Sequence, residues 1–287
     1  MEFYLISTDH LCTQLWFRDD SDFKVAMNYI SVVAFITGIH ILAFALMSNH
    51  VHFVVECDYA TAYRFINLFK QDHAAYYRKK YGVKTLLRRN SVDIQALPLN
   101  GESVERGIAY TLMNPVAANI CLYPTEYRWC CCDAFFRNRP VKGTPLRELS
   151  ARAQAKILRS HARLPQTWIL NEDGYIQPDS YVSVRFVESL FRTPNRFNFF
   201  LRNSSKAKAR MERRDEGLPS FRDQVIGNAI ADLCISLFKK SRTEDLNREE
   251  WSELLRQIRY RFSADLHQIS RIVGKTYDET AKLLDAL

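Results

Sequence analysis

The sequence predicts an α+β domain followed by a mainly α-helical C-terminal region. Three observations carry this. Apolar runs with strand character at residues 1–7, 39–46 and 51–56 alternate with stretches at 23–35 and 60–81 whose apolar residues recur every three or four positions. Beyond Pro140 helical periodicity dominates, interrupted by a Pro- and Gly-containing stretch at 164–179. The chain has 287 residues, 47% hydrophobic and 25% charged, with 18 Phe and 14 Tyr, enough for a sizeable core and long enough for two domains.

The elements follow in order. Residues 1–7 read as a short aromatic-rich strand. Asp20, Ser21 and Asp22 offer a helix N-cap, the helix runs through 23–35, and Gly38 ends it. The apolar run 39–46, a Ser48-Asn49 turn and the alternating segment 51–56 form a hairpin. Residues 60–81 form a long amphipathic helix that closes with Arg78, Lys79 and Lys80 before Gly82. Residues 85–97 read as strand and loop, with Arg88 and Arg89 exposed. Ser103 caps a helix through Val104, Ile108 and Tyr110 to Asn114, where Pro115 interrupts it. This succession of strands and helices is that of a ferredoxin-like α+β sandwich.

Three segments result. Residues 1–140 form the α+β domain, and 141–220 a helical and basic connector that includes a linking helix at 141–162, a helical stretch at 182–200 and the run RNSSKAKARMERR at 202–214. Residues 221–287 form a helical domain in which two short helices around Gly274 follow a lead helix, a helix-turn-helix pattern.

The net charge of +8 favours a polyanionic partner, because Lys and Arg release counterions when they neutralise phosphates. The seven cysteines form no CxxC pair, and Cys130, Cys131 and Cys132 are consecutive; reduced thiols serving as small buried hydrophobes are expected. The apolar stretch 30–47 is broken by Thr37, Gly38 and His40, which argues against a membrane span. No leader pattern opens the sequence, so the expected compartment is the cytoplasm. No GxxxxGK[ST] loop is present, which argues against ATP-driven chemistry.

The segment Met47-Ser48-Asn49-His50-Val51-His52 is the strongest chemical signal. Alternate strand residues share a face, so His50 and His52 point together and can grip one divalent cation. The competing structural reading packs one histidine in the core and leaves the other solvated. Tyr110 and Asn114, four apart on a helix, also share a face. A carboxamide oxygen is a hard ligand for Mg²⁺ or Mn²⁺, and a phenol beside it can attack a phosphate. Taken alone, Tyr110 reads equally as a core aromatic and Asn114 as a helix terminus. Tyr76, Tyr77 and Tyr81, interleaved with basic residues, are rival nucleophiles or base-stacking groups. His73 reads as a solvated helix residue; His10, His40, His161 and His267 have no partner spacing.

The segments GIHILAFALMSNHVHFVVE and IAYTLMNPVAANICLYPTEYRW together resemble the REP-associated tyrosine transposases, within the single-tyrosine HUH (IS200-like) transposases. The resemblance covers about residues 1–140. It implies a ferredoxin-like nuclease domain in which His50, His52 and Asn114 bind Mg²⁺ or Mn²⁺ and Tyr110 is the nucleophile. It also implies single-stranded DNA with hairpin or repeat structure as partner, nicked and rejoined through a 5′-phosphotyrosine. The small polar pair that usually follows the tyrosine-tryptophan segment is here the cysteine run at 130–132. A reading from another class makes the chain a DNA-binding regulator that retains an inactive nuclease-like domain. The oligomeric state stays open between monomer and dimer.

Overall fold

A computed structural model describes residues 2–8, 15–82, 92–99, 101–204, 221–262, 264 and 266–284. The basic run from Lys206 to Arg214, together with Arg88, Arg89, Cys12 and His10, lies outside them.

Strands β1 (Phe3–Thr8), β2 (His40–Leu46), β3 (Val51–Glu56) and β4 (Val92–Ala96) form one antiparallel sheet in the order β2-β3-β1-β4. β2 and β3 are apolar except at His40, His52 and Glu56 because both sheet faces are covered, and six of the seven residues of β2 are buried. Helices α1 (Asp20–Thr37) and α2 (Tyr59–Tyr81) lie on one face. Phe53 of β3 meets Phe65 and Phe69 of α2 there, at 5.1 and 5.8 Å between ring centroids. Helix α3 (Ser103–Leu112) lies on the other face, where His52 meets Tyr110. α1 is capped by Asp19, one residue before the expected caps, because Asp22 serves as the reciprocal partner three positions on. Both α1 and α2 end at glycines in the left-handed region, Gly38 at φ 69° and Gly82 at φ 70°.

The outer edge of β2 is closed by the chain itself. Ala45 bridges Cys130, Ile41 bridges Val182, and Leu46 N–H donates to Trp129 O at 2.9 Å. Cys130, Cys131 and Cys132 are buried in that contact, and burial pushes the Cys130 thiol up to about 12 and the other two well above the usual thiol range. They pack as small hydrophobes, with no disulfide.

The stretch 141–162 is not one linking helix. It holds β5 (Thr144–Pro145), which pairs with β6 (Ile169–Leu170), and the helix after it spans only Ala151–Leu158. In chain order the remaining helices of this half are α4 (Asn114–Ala117), α5 (Ala151–Leu158), α6 (Val184–Phe191) and α7 (Pro194–Arg202). The last two divide the expected 182–200 helix, because Thr193 caps a new start and Pro194 occupies its first position. Leu146, Leu158, Ile176, Val187, Phe191 and Phe197 join the same core as the sheet. Buried Asn28 of α1 fastens this region, donating to Gly174 O at 3.0 Å and accepting from Ile176 N–H at 3.0 Å.

Helices α8 (Asp223–Phe238), α9 (Arg248–Phe262), α10 (Leu266–Val273) and α11 (Tyr277–Leu284) build a second core around Ile226, Leu254, Leu255, Ile258 and Ile269. Gly274 turns the chain between α10 and α11 at φ 69°, and Thr276 and Glu279 exchange capping bonds at the start of α11. Among the described residues no helix is long and apolar enough to cross a membrane.

Candidate functional site

The β2–β3 hairpin presents the histidines. Met47 N–H donates to His50 O at 2.8 Å and closes the turn, while Ser48 O accepts from Trp16 N–H at 2.9 Å and Phe17 N–H at 3.1 Å. Val51 N–H donates to Thr8 Oγ1 at 3.0 Å, pinning the start of β3 to β1. Both histidines reach the α3 face, their ring centroids 4.9 Å apart and their planes at 89°. His50 is half-buried with Nδ1 2.9 Å from Asn49 Oδ1, and His52 is buried. His52 thus lies in the core while His50 keeps partial exposure, with the two rings in contact.

Tyr110 and Asn114 lie on either side of a helix break. Ser103, expected as a cap, is the first helical residue; Glu102 at φ 63° precedes it with no side-chain capping bond. α3 stops at Leu112, since Pro115 has no N–H to offer Thr111 O. The Asn114 carboxamide supplies the replacement, with Nδ2 donating to Tyr110 O at 2.9 Å and to Thr111 O at 3.2 Å. Both bonds use the carboxamide nitrogen of Asn114. Tyr110 is half-buried, its ring edge-on to His52 with centroids 5.7 Å apart. One turn earlier, Gly107 lets the chain after β4 close on α3, since a Cβ there would meet Leu97 Cδ1 at 2.7 Å.

His50, His52 and Tyr110 are therefore brought together, and Asn114 is fixed through the Tyr110 carbonyl. Two imidazoles bound to one cation at about 2.1 Å per bond hold their centroids roughly 5 Å apart when the bonds meet near a right angle. The observed 4.9 Å fits that arrangement. The donor set is two neutral nitrogens and one amide oxygen, without a carboxylate. Among the described residues no group of three or more His, Cys, Asp or Glu could hold a metal.

The three rival tyrosines of α2 are hydrogen-bonded into the fold. Tyr76 Oη donates to Asp22 Oδ1 at 2.8 Å, Tyr77 Oη to Leu15 O at 2.9 Å, and Tyr81 Oη to Asp22 Oδ2 at 2.8 Å. All three sit on α2, across the sheet from the histidines, and burial raises the pKa of each phenol. Lys80 is tied into the same cluster by hydrogen bonds to Asp19 and Asp22. His73 is fully buried, contrary to the solvated reading, with Nε2 2.8 Å from Trp16 O. His40 pairs with Glu56 at 3.4 Å, and the His267 ring packs at a tilt against Tyr277. One contact has no sequence signal: Ser48 Oγ donates to Asp223, 175 positions away.

Residues 15–91 match the family model described as Transposase IS200 like. No match was found among curated proteins or among solved structures. The matched segment spans α1, the histidine hairpin and α2, and ends before Tyr110 and Asn114. By that segment the chain is similar to the IS200-like transposases.

Proposed function

We propose that this chain nicks and rejoins single-stranded DNA as a REP-associated member of the HUH tyrosine transposases, with Tyr110 as nucleophile and His50, His52 and Asn114 as ligands of Mg²⁺ or Mn²⁺. The observation that carries the reading is the convergence of Tyr110 on the histidine pair, 5.7 Å from His52 by ring centroids. The β2-β3-β1-β4 order supports a ferredoxin-like nuclease domain. The net charge of +8 and the IS200-like match support a DNA partner.

When bound, the cation polarises the scissile phosphate. His50 and His52 are held by a hairpin whose turn is bonded to residues 16 and 17, so little reorganisation accompanies phosphate binding. Tyr110 Oη attacks phosphorus, the bond to the 3′ oxygen breaks, and the phenol's proton is balanced by the one gained by the departing 3′-hydroxyl. The 5′-phosphotyrosine keeps the bond energy, so an incoming 3′-hydroxyl reverses the step without ATP. α10 and α11, read as a helix-turn-helix, and the basic run after Ser204 hold the strand.

The test is incubation of labelled hairpin single-stranded DNA with the protein and Mn²⁺ or Mg²⁺, followed by denaturing gels. A protein–DNA adduct is expected with the wild type, and none with Tyr110→Phe, His50→Ala or His52→Ala. An adduct formed equally well by Tyr110→Phe refutes the nucleophile assignment. Tight binding with no wild-type adduct favours the regulator reading instead.

A further inference from the structure

We infer that Asp223 is a positioning residue through which the C-terminal helical unit holds the turn that carries His50. For catalysis this rests on the nicking reading; the coupling itself does not. Asp223 opens α8 and is 4% exposed. Its Oδ2 accepts from Ser48 Oγ at 2.5 Å and from Arg271 Nε at 3.0 Å, and its Oδ1 accepts from Gln268 Nε2 at 2.8 Å. One carboxylate thus joins the β2–β3 turn to α10.

The surrounding contacts reinforce the same junction. Gln224 Nε2 donates to Phe17 O at 2.6 Å, and Phe17 N–H donates in turn to Ser48 O. Gln268 Nε2 also donates to Phe221 O at 2.6 Å, and Arg222 lies 3.7 Å from Asp20 at the start of α1. Ser48 is therefore gripped through its hydroxyl by the helical unit and through its carbonyl by residues 16 and 17. It stands two positions before His50, inside the turn closed by Met47 N–H and His50 O. A polar junction has one satisfied geometry, whereas an apolar one tolerates sliding. A buried carboxylate stripped of its donors is strongly unfavourable, so the helical unit seats in one register and fixes the turn with it. The second core is then part of the nuclease site's scaffold as well as a strand-holding element.

The test uses the full chain and backbone amide exchange at Trp16, Phe17 and Met47, the three amides that bond to Ser48 and His50. Ser48→Ala removes only the hydroxyl and leaves Asp223 with Gln268 and Arg271. It should speed exchange at these amides roughly tenfold, the scale of one charge-assisted hydrogen bond. Exchange within α8–α11 should stay unchanged. Mn²⁺ affinity, measured by calorimetry without DNA, should fall in parallel, and Ser48→Thr, which keeps the hydroxyl, should restore both. Asp223→Asn should loosen the same three amides. Unchanged exchange at all three in both Ser48→Ala and Asp223→Asn would overturn the inference, even if α8–α11 loosen in the second variant. A wild type that forms no adduct defeats the nicking reading alone, because the exchange comparison still decides the coupling.

Discussion

His73 should make the protein's stability fall steeply in mild acid. It is fully buried on α2, stacked on Phe69 and against Phe17, Tyr76 and Tyr77. Its Nε2–H donates to Trp16 O, and Nδ1 has no hydrogen-bond partner among the described residues. A second proton would sit on Nδ1 inside an aromatic cage with no acceptor. Burial accordingly lowers the pKa from 6.5 to about 4, against the opposing pull of the Trp16 carbonyl and the Asp22 charge, with Lys80 adding to the depression. Between those values the unfolded chain takes up a proton that the folded chain refuses, so stability drops as pH falls through that window. Each tenfold difference in proton affinity is worth about 1.36 kcal/mol, which makes the whole window worth roughly 3 kcal/mol. His73→Gln keeps an amide donor for Trp16 O and has no titration. Denaturant unfolding of both proteins from pH 7.5 to 4.0, followed by fluorescence of the buried Trp16 and Trp129, isolates the effect, because the other histidines cancel. The stability advantage of wild type over variant should shrink by roughly 3 kcal/mol across the series. A difference that stays flat with pH would show that the buried ring titrates no differently from an exposed one.

Two further outcomes are expected. Asn114→Ala removes the amide that spans the break before Pro115, so unfolding should become easier by about 1–2 kcal/mol. The adduct with hairpin DNA should disappear along with it, and an Asn114→Ala protein that is fully active would remove Asn114 from the ligand set. Reversing the charges of Lys206, Lys208 and Arg210 should weaken binding to all single strands alike and flatten its salt dependence, read by anisotropy at several salt concentrations. A loss confined to one DNA sequence would contradict a purely electrostatic role.

The sequence by itself determined the α+β half and the pairing of the histidines. Period-two alternation predicts one face for His50 and His52, although only His52 lies within β3 and His50 closes the turn just before it; glycines at 38 and 82 stop helices because only glycine enters the left-handed region without strain. The Tyr110–Asn114 spacing was legible too, though not the reason Asn114 is fixed: its carboxamide bonds Tyr110 O and the Thr111 O that Pro115 leaves without a donor. Only the tertiary structure decided which residues meet across long separations. Polar contacts leave no periodic trace, so nothing near Ser48 announced Asp223, and nothing near His73 announced that Trp16 would bury it. The cysteine run, expected as buried small hydrophobes, also meets the edge of β2, which no sequence pattern announced, and the expected long helices after residue 140 gave way to a small hairpin and a proline-started helix. Local pattern sets each element because its forces act within a few residues; the site's scaffold is set by burial, which only the assembled core defines.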